Sequence, residues 1–193
     1  MVVIDRHMRG NSVDNVAVDN IIGLRLAVRH LVELGHQRIG LISGPAETST
    51  SVERLEGYKI ELANCGLNYE PNLVIPGDFK ETGGVRAMHQ LLSLTHPPSA
   101  VIAANNLMTI GALLVLHEKN IRIPEQMSVI GFDDMPWYSL LSPTITVVKQ
   151  PLNEIGHMAT DLLLRRIKND RVDFPLEISL QPQLIVREST SHP

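Results

Sequence analysis

Short β-branched runs alternate with helical stripes along this chain. The runs fall at 1–5 (MVVID), 38–44 (RIGLISG), 100–105 (AVIAAN), 128–134 (SVIGFDD) and 144–150 (TITVVKQ), with weaker ones at 72–78 (NLVIPGD) and 176–188 (LEISLQPQLIVRE). Continuous apolar runs of this length suit strands buried on both faces, and so a parallel sheet. Between them the apolar period lengthens to that of a helix. In 19–34 Leu24, Ala27, Val28 and Leu31 make a stripe that Gly35 stops. In 51–64 the stripe is Val52, Leu55, Tyr58 and Leu62. In 82–94 Thr82 is placed to cap, with Val85, Met88 and Leu92 inward. In 151–168 Pro151 takes the first helical position, and Leu152, Ile155, Ala159, Leu162 and Leu163 face in. Strand–helix alternation of this kind predicts a doubly wound α/β fold.

The helix expected at 107–119 stands apart. Leu107, Met108, Ile110, Leu113, Leu114, Val115 and Leu116 leave it little polar face. A helix apolar nearly all round is covered on two sides. One side suits the sheet, and the other suits a second subunit or the rest of the same chain.

In open parallel sheets, ligands bind beyond the carboxyl ends of the strands. Three expected strands end in polar residues there. One leads to Thr48, Thr50 and Arg54, another to Asn105 and Asn106, and the third to Asp133 and Asp134. Phe79 adds a flat apolar face. Carboxylate, amide, hydroxyl and guanidinium groups with one aromatic suit a sugar, whose hydroxyls donate and accept and whose C–H face stacks. Aspartate and asparagine after a strand are equally good helix caps and turn formers, and spacing leaves that alternative open.

Charge narrows the field further. The net charge is −4 and no segment clusters Lys and Arg, which argues against this chain gripping nucleic acid by itself. A single cysteine, Cys65, excludes an internal disulfide framework and fits a reducing compartment. The N-terminal apolar run is too short for a signal peptide, and a cytoplasmic location without membrane contact is expected. Nucleophile-elbow, P-loop and dinucleotide-binding motifs are absent, and the eight histidines form no metal-ligand cluster. The expected protein is therefore not an enzyme and carries no metal or cofactor. Most of the histidines are expected at the surface, with His36 in a turn.

The stretches HLVELGHQRIGLISGP, RLEGY, PGDF, AANNLMTIGAL, IPEQMSVIGFDDMPW and LSPTITVVKQPLNEIGHMATDLLL, in that order and spacing, closely resemble the LacI/GalR family of bacterial transcription regulators. The resemblance covers nearly the whole chain. It implies a type I periplasmic binding protein-like fold, in which two lobes clamp a small effector and the chain crosses between them three times. It implies a complete C-terminal lobe at 19–150 plus 181–193, and part of an N-terminal lobe at 1–18 plus 151–180. MVVID would be the last N-terminal-lobe strand before the first crossing.

By this resemblance Arg54 is the effector-binding arginine, and Asp133 the carboxylate for effector hydroxyls or base nitrogens. Asn105 matches the family asparagine, and Phe79 the stacking aromatic. Thr50 and Gln150 line the pocket, and Asp5 is a first-lobe carboxylate near the cleft. Asp134 and Asn106 are the structural neighbours, with Asn106 free to cap the following helix. Where a purine-sensing member carries an arginine, Thr48 stands here, which favours a neutral sugar. Trp137 is expected near the cleft, at the subunit interface or in the core. Partners implied are a second copy of the chain, pairing through the helices at 82–94 and 107–119, and operator DNA held by a head domain outside this chain. Two rival classes share parts of the pattern: a transporter's sugar-binding protein, which needs an export signal, and an enzyme using Asp133 as base, which needs a nucleophile or cofactor loop.

Overall fold

The expected strands form two sheets. The computed structural model describes residues 1–6 and 13–193; His7 and the rest of 7–12, in the segment expected for the partial N-terminal lobe, lie outside the described residues. In chain order the elements are β1 (Val2–Ile4), β2 (Asp14–Val18), α1 (Asn20–Glu33), β3 (Ile39–Ser43), α2 (Ser49–Asn64), β4 (Val74–Pro76) and α3 (Glu81–Leu92). They continue as β5 (Ala100–Ala103), α4 (Asn106–Glu118), β6 (Ser128–Phe132), β7 (Thr146–Lys149), α5 (Leu152–Ile167), β8 (Glu177–Leu180) and β9 (Gln183–Ile185). The larger sheet has the order β4-β3-β5-β6-β7-β9, parallel except for β9. The smaller sheet, β1-β2-β8, is parallel throughout.

Helices cover both faces of the larger sheet. The pair α1 and α2 lies on one face, and the pair α3 and α4 on the other. Val101, Ile102, Val129 and Ile130 are fully buried between them, as their unbroken apolar runs require. The predicted stripe of α1 is buried at every position, and Asp19 caps the helix by accepting from the Ile22 N–H at 2.9 Å. Gly35 ends it at φ +96°, a conformation that suits glycine. The helices α3 and α4 approach almost backbone to backbone at Gly84 and Gly111. A Cβ on Gly84 would lie 2.4 Å from the Met108 carbonyl oxygen, and one on Gly111 would lie 2.2 Å from that of Glu81.

Several expectations need correction. The strand β2 was missed: its polar ends, Asp14 and Asn15, hid a segment that is buried at all five positions. It follows β1 before the first crossing, so MVVID is not the last strand of that run. The weak run at 176–188 splits, β8 joining the small sheet and β9 the large one. Val52, Leu152 and Leu163 face solvent. On α2 the buried face also carries Thr50, Arg54 and Glu61, with Arg54 bonded to Asn20 and Glu61 to Arg25 and Arg29. Thr82 lies inside the first turn of α3 and does not cap it; Asp78 Oδ1 accepts from the Lys80 N–H ahead of the helix. Pro151 sits one position before α5, as its cap residue.

His36 is not at the surface. It is 1% exposed, at the amino-terminal edge of the large sheet, where the C-terminal tail crosses β6 and β7. Its Nε2 lies 2.9 Å from the Ser191 carbonyl, a pure acceptor, so Nε2 carries the proton and Nδ1 accepts from the Ser99 hydroxyl at 2.8 Å. Burial pushes its pKa below the usual histidine range, against the pull of the Ser191 carbonyl. The folded state therefore binds fewer protons than the unfolded one. Stability is fully present above the unfolded value of about 6.5 and falls as pH drops through it. Urea midpoints are expected to be lower at pH 5.5 than at pH 7.5, and His36→Gln should flatten much of that difference. Identical pH slopes in both proteins would contradict it.

Candidate functional site

The switch point of the large sheet lies where β3 and β5 end side by side. The helix after β3 packs on one face and the helix after β5 on the other, which leaves a crevice at the carboxyl edge. Arg54 reaches this crevice from α2. It is only 4% exposed, with Nε donating to Asn20 Oδ1 at 2.8 Å and one terminal nitrogen donating to the Ala104 carbonyl just past β5. Its guanidinium carbon lies 3.6 Å from the centroid of the Phe132 ring. Burial lowers its pKa, and the nearby charges of Asp133, Asp5 and Glu53 oppose that. A buried cation clamped on one edge and one face keeps its remaining donors for the open side.

The carboxylates come from the ends of two strands in different sheets. Asp133 follows β6 at φ 75°, and its backbone N–H donates to the Val148 carbonyl at 2.9 Å. Its carboxylate accepts from the Gln150 amide and from the Asn106 backbone N–H. Burial pushes its pKa above the ordinary carboxylate range; the Gln150 bond and Arg54 pull it back, while Asp5 pushes it up again. Asp5 follows β1 at φ 68°, held by a 3.0 Å bond from its N–H to the Val16 carbonyl. Gln150 thus holds Asp133 in place, and its donated proton is already used.

Phe79 also adopts a left-handed conformation, φ 60°, which is rare for an aromatic residue. Its ring lies over Gly44 at the end of β3, where a Cβ would meet it at 2.1 Å. Its carbonyl is gripped by the Asn105 amide at 3.0 Å. Three of the seven expected site residues therefore sit in a strained region that the surrounding structure enforces, a pattern that clusters at functional sites. Asn105 is otherwise occupied: its Oδ1 caps α4 by accepting from the Met108 N–H at 2.9 Å. Thr50 is buried on the same face of α2 as Arg54, one turn earlier. Thr48 is tied to its own loop through a 2.9 Å bond from its hydroxyl to the Pro45 carbonyl.

The structure corrects the roles of several neighbours. Asn105, not Asn106, caps α4; Asn106 Oδ1 accepts from the Leu107 N–H instead. Asp134 is not a cap but an ion-pair partner of Arg187 at 2.9 Å and Lys149 at 3.6 Å. Trp137 lies away from the crevice. It lines a groove of about 760 Å³ with Ile110, Leu113, Leu114, Leu141 and Pro143, on the outward side of α4. Phe132 was missed as a site residue. The signal was an aromatic side chain at the last strand position before the aspartate pair, masked because it also reads as core. Among the described residues no helix is long and apolar enough to cross a membrane, and no group of His, Cys, Asp and Glu is arranged to hold a metal.

Two mainly parallel α/β sheets, with an arginine and two carboxylates at their carboxyl edges, have the architecture of the periplasmic binding protein type. Residues 28–190 match the family described as periplasmic binding protein-like domain. The transcriptional repressor PurR of Escherichia fergusonii is 36% identical over 192 residues, 99% of this chain and 56% of that protein. The transcriptional regulator CelR of Thermobifida fusca is 40% identical over 177 residues, 92% of this chain and 52% of that protein. Among solved structures, a CelR–cellobiose complex superposes with a TM-score of 0.91 at 38% identity, covering 97% of this chain and 58% of that one. A LacI-family sugar-binding regulator from Escherichia coli, complexed with phosphate, gives a TM-score of 0.88 at 34% identity, covering 100% of this chain and 68% of that one. The chain belongs to the LacI family of transcription regulators. It spans about half the length of the curated relatives it matches.

Proposed function

We propose that the chain is the effector-binding and dimerising part of a cytoplasmic LacI-family repressor that senses a saccharide, with no catalytic activity of its own. On this reading 19–150 plus 181–193 form the C-terminal lobe, 1–18 plus 151–180 belong to the N-terminal lobe, and a head domain outside this chain binds operator DNA. The observation that carries the reading is the Arg54 clamp: a nearly buried cation on the ring of Phe132, in the field of Asp133 and Asp5. Asp133 and Asp5 accept from hydroxyls, Arg54 donates to ring or hydroxyl oxygens, and an aromatic face covers C–H groups. Thr48, in place of a further cation, fits a neutral ligand. A thermal-shift screen of the full-length protein against monosaccharides, cellobiose, sugar phosphates and purines tests the class. A saccharide should raise the melting temperature by an amount that grows with its concentration over its dissociation constant. Stabilisation by purines alone would overturn the saccharide assignment.

The second copy is assigned to the outward face of α4. Leu107 and Leu114 are 42% and 48% exposed there, beside Ile110 and the Trp137-lined groove. On α3 the outward positions are polar, Thr82, Arg86 and Gln90, so α4 supplies the apolar contact. Ile110→Asp is expected to give monomers in sedimentation equilibrium, because a buried unpaired carboxylate is costly. An unchanged dimer would move the interface elsewhere.

A further inference from the structure

We propose that Asn20 is a positioning residue that fixes the Arg54 guanidinium and ties it to the first crossing between the two sheets. The proposal rests on the reading of Arg54 as an effector-binding group. Asn20 is 1% exposed, and both ends of its amide are engaged. Oδ1 accepts from Arg54 Nε at 2.8 Å; Nδ2 donates to Glu53 Oε2 at 2.7 Å and to the Val18 carbonyl at 3.3 Å. Val18 is the last residue of β2, while Glu53 and Arg54 both stand on α2, so the amide oxygen meets α2 and its NH2 bridges α2 and the end of the small sheet's central strand.

An amide is the group this position requires. Its oxygen accepts from a cation without adding charge, and its NH2 serves two acceptors at once. A carboxylate could hold Arg54 Nε but would face Glu53 and the Val18 carbonyl, three acceptors with no proton among them. The neighbouring Asp19 N–H donates to the Leu180 carbonyl at 2.9 Å, which ties the same crossing to β8. The amide plane at this crossing is fixed by Arg54 and Glu53 of α2 together with the Val18 carbonyl of β2. The arginine of the crevice is thus wired to the small sheet through one side chain.

Two variants in the full-length protein separate positioning from plain structural support. Asn20→Ala removes the acceptor of Arg54 Nε; Asn20→Asp keeps an acceptor but loses both donated bonds. A purely structural role predicts that affinity follows melting temperature, with Asn20→Asp the worse in both. Positioning predicts opposite orders: Asn20→Asp melts lowest, while Asn20→Ala binds saccharide more weakly, by about tenfold, the loss of one good hydrogen bond. Calorimetric titration with cellobiose reads affinity. Crystal structures of the unliganded variants supply a readout that needs no ligand: the Arg54 guanidinium should leave the Phe132 ring face in Asn20→Ala and stay on it in Asn20→Asp. If cellobiose fails to bind the unaltered protein, the ligand assignment is at fault and the guanidinium positions still decide the role of Asn20. An unmoved guanidinium in Asn20→Ala, or affinities that follow the melting order, would overturn the proposal.

Discussion

Asp133→Ala is expected to weaken binding of the proposed saccharide by about ten- to a hundredfold in the full-length protein, the worth of hydrogen bonds to a charged group. The expectation follows from how the carboxylate is held. Its backbone is pinned to Val148, and Gln150 and the Asn106 N–H each supply one bond, so the group is preorganised and loses little entropy on binding. Folding should survive the change, since a carboxylate whose pKa burial has raised is itself a cost to the fold. Asp134→Ala is the contrast. Lys149 is half-exposed, but Asp134 and Arg187 are mostly buried, so losing Asp134 leaves the Arg187 guanidinium without its carboxylate and should cost about 1–3 kcal/mol of stability while leaving affinity intact. Calorimetric titration and thermal melts on both variants separate the roles. Equal affinity of Asp133→Ala and the unaltered protein would mean that the aspartate pair is a turn and nothing more.

Gly84→Ala is expected to destabilise the fold by about 2–3 kcal/mol, the upper part of the range for overpacking. The added methyl would meet the Met108 carbonyl oxygen at 2.4 Å and its Cα at 2.7 Å. Both are backbone atoms, so no side chain can swing aside, and α3 must move off α4. Gly156 offers the control. On α5 a Cβ there meets nothing within 4 Å, so Gly156→Ala should stabilise by about 0.5–1 kcal/mol through helix propensity alone. Urea unfolding of both variants checks the pair, and a Gly84→Ala midpoint equal to that of the unaltered protein would contradict the packing described here.

Much of the fold was legible because the large sheet is buried on both faces. Runs such as 100–103 and 129–132 have no polar position to confuse the period, and the stripe of α1 is buried throughout. The small sheet was harder to see. Its central strand opens on Asp14 and Asn15, residues that read as a loop. Asp14 is buried with partners far along the chain: Arg166 grips both carboxylate oxygens at 2.7 and 2.8 Å, and the Leu176 N–H donates to Oδ1 at 2.9 Å. No local pattern carries such a partner. The same limit applies on α2, where Arg54 and Glu61 face inward against an apolar expectation that favoured Val52.

At the candidate site, residue types at strand ends pointed to the carboxyl edge of the sheet, and the resemblance supplied Asp5 and Gln150. What spacing could not supply was the division of labour. Asn105 and Asn106 are chemically identical, and only geometry shows that the first caps α4 and holds Phe79. Trp137 follows the aspartate pair closely in sequence, yet the intervening turn carries it to the outward face of α4. Phe132 was hidden by being apolar at the end of an apolar run, and only the stacked guanidinium marks it.

A crystal structure of the full-length protein with the saccharide that stabilises it most tests the central claim directly. The ligand should lie at the carboxyl edge of the large sheet, with hydroxyls on Asp133 and Asp5, an oxygen on Arg54, and a C–H face on Phe79 or Phe132. A saccharide found in the groove beside Trp137, or one that leaves both Arg54 and Asp133 untouched, would contradict it.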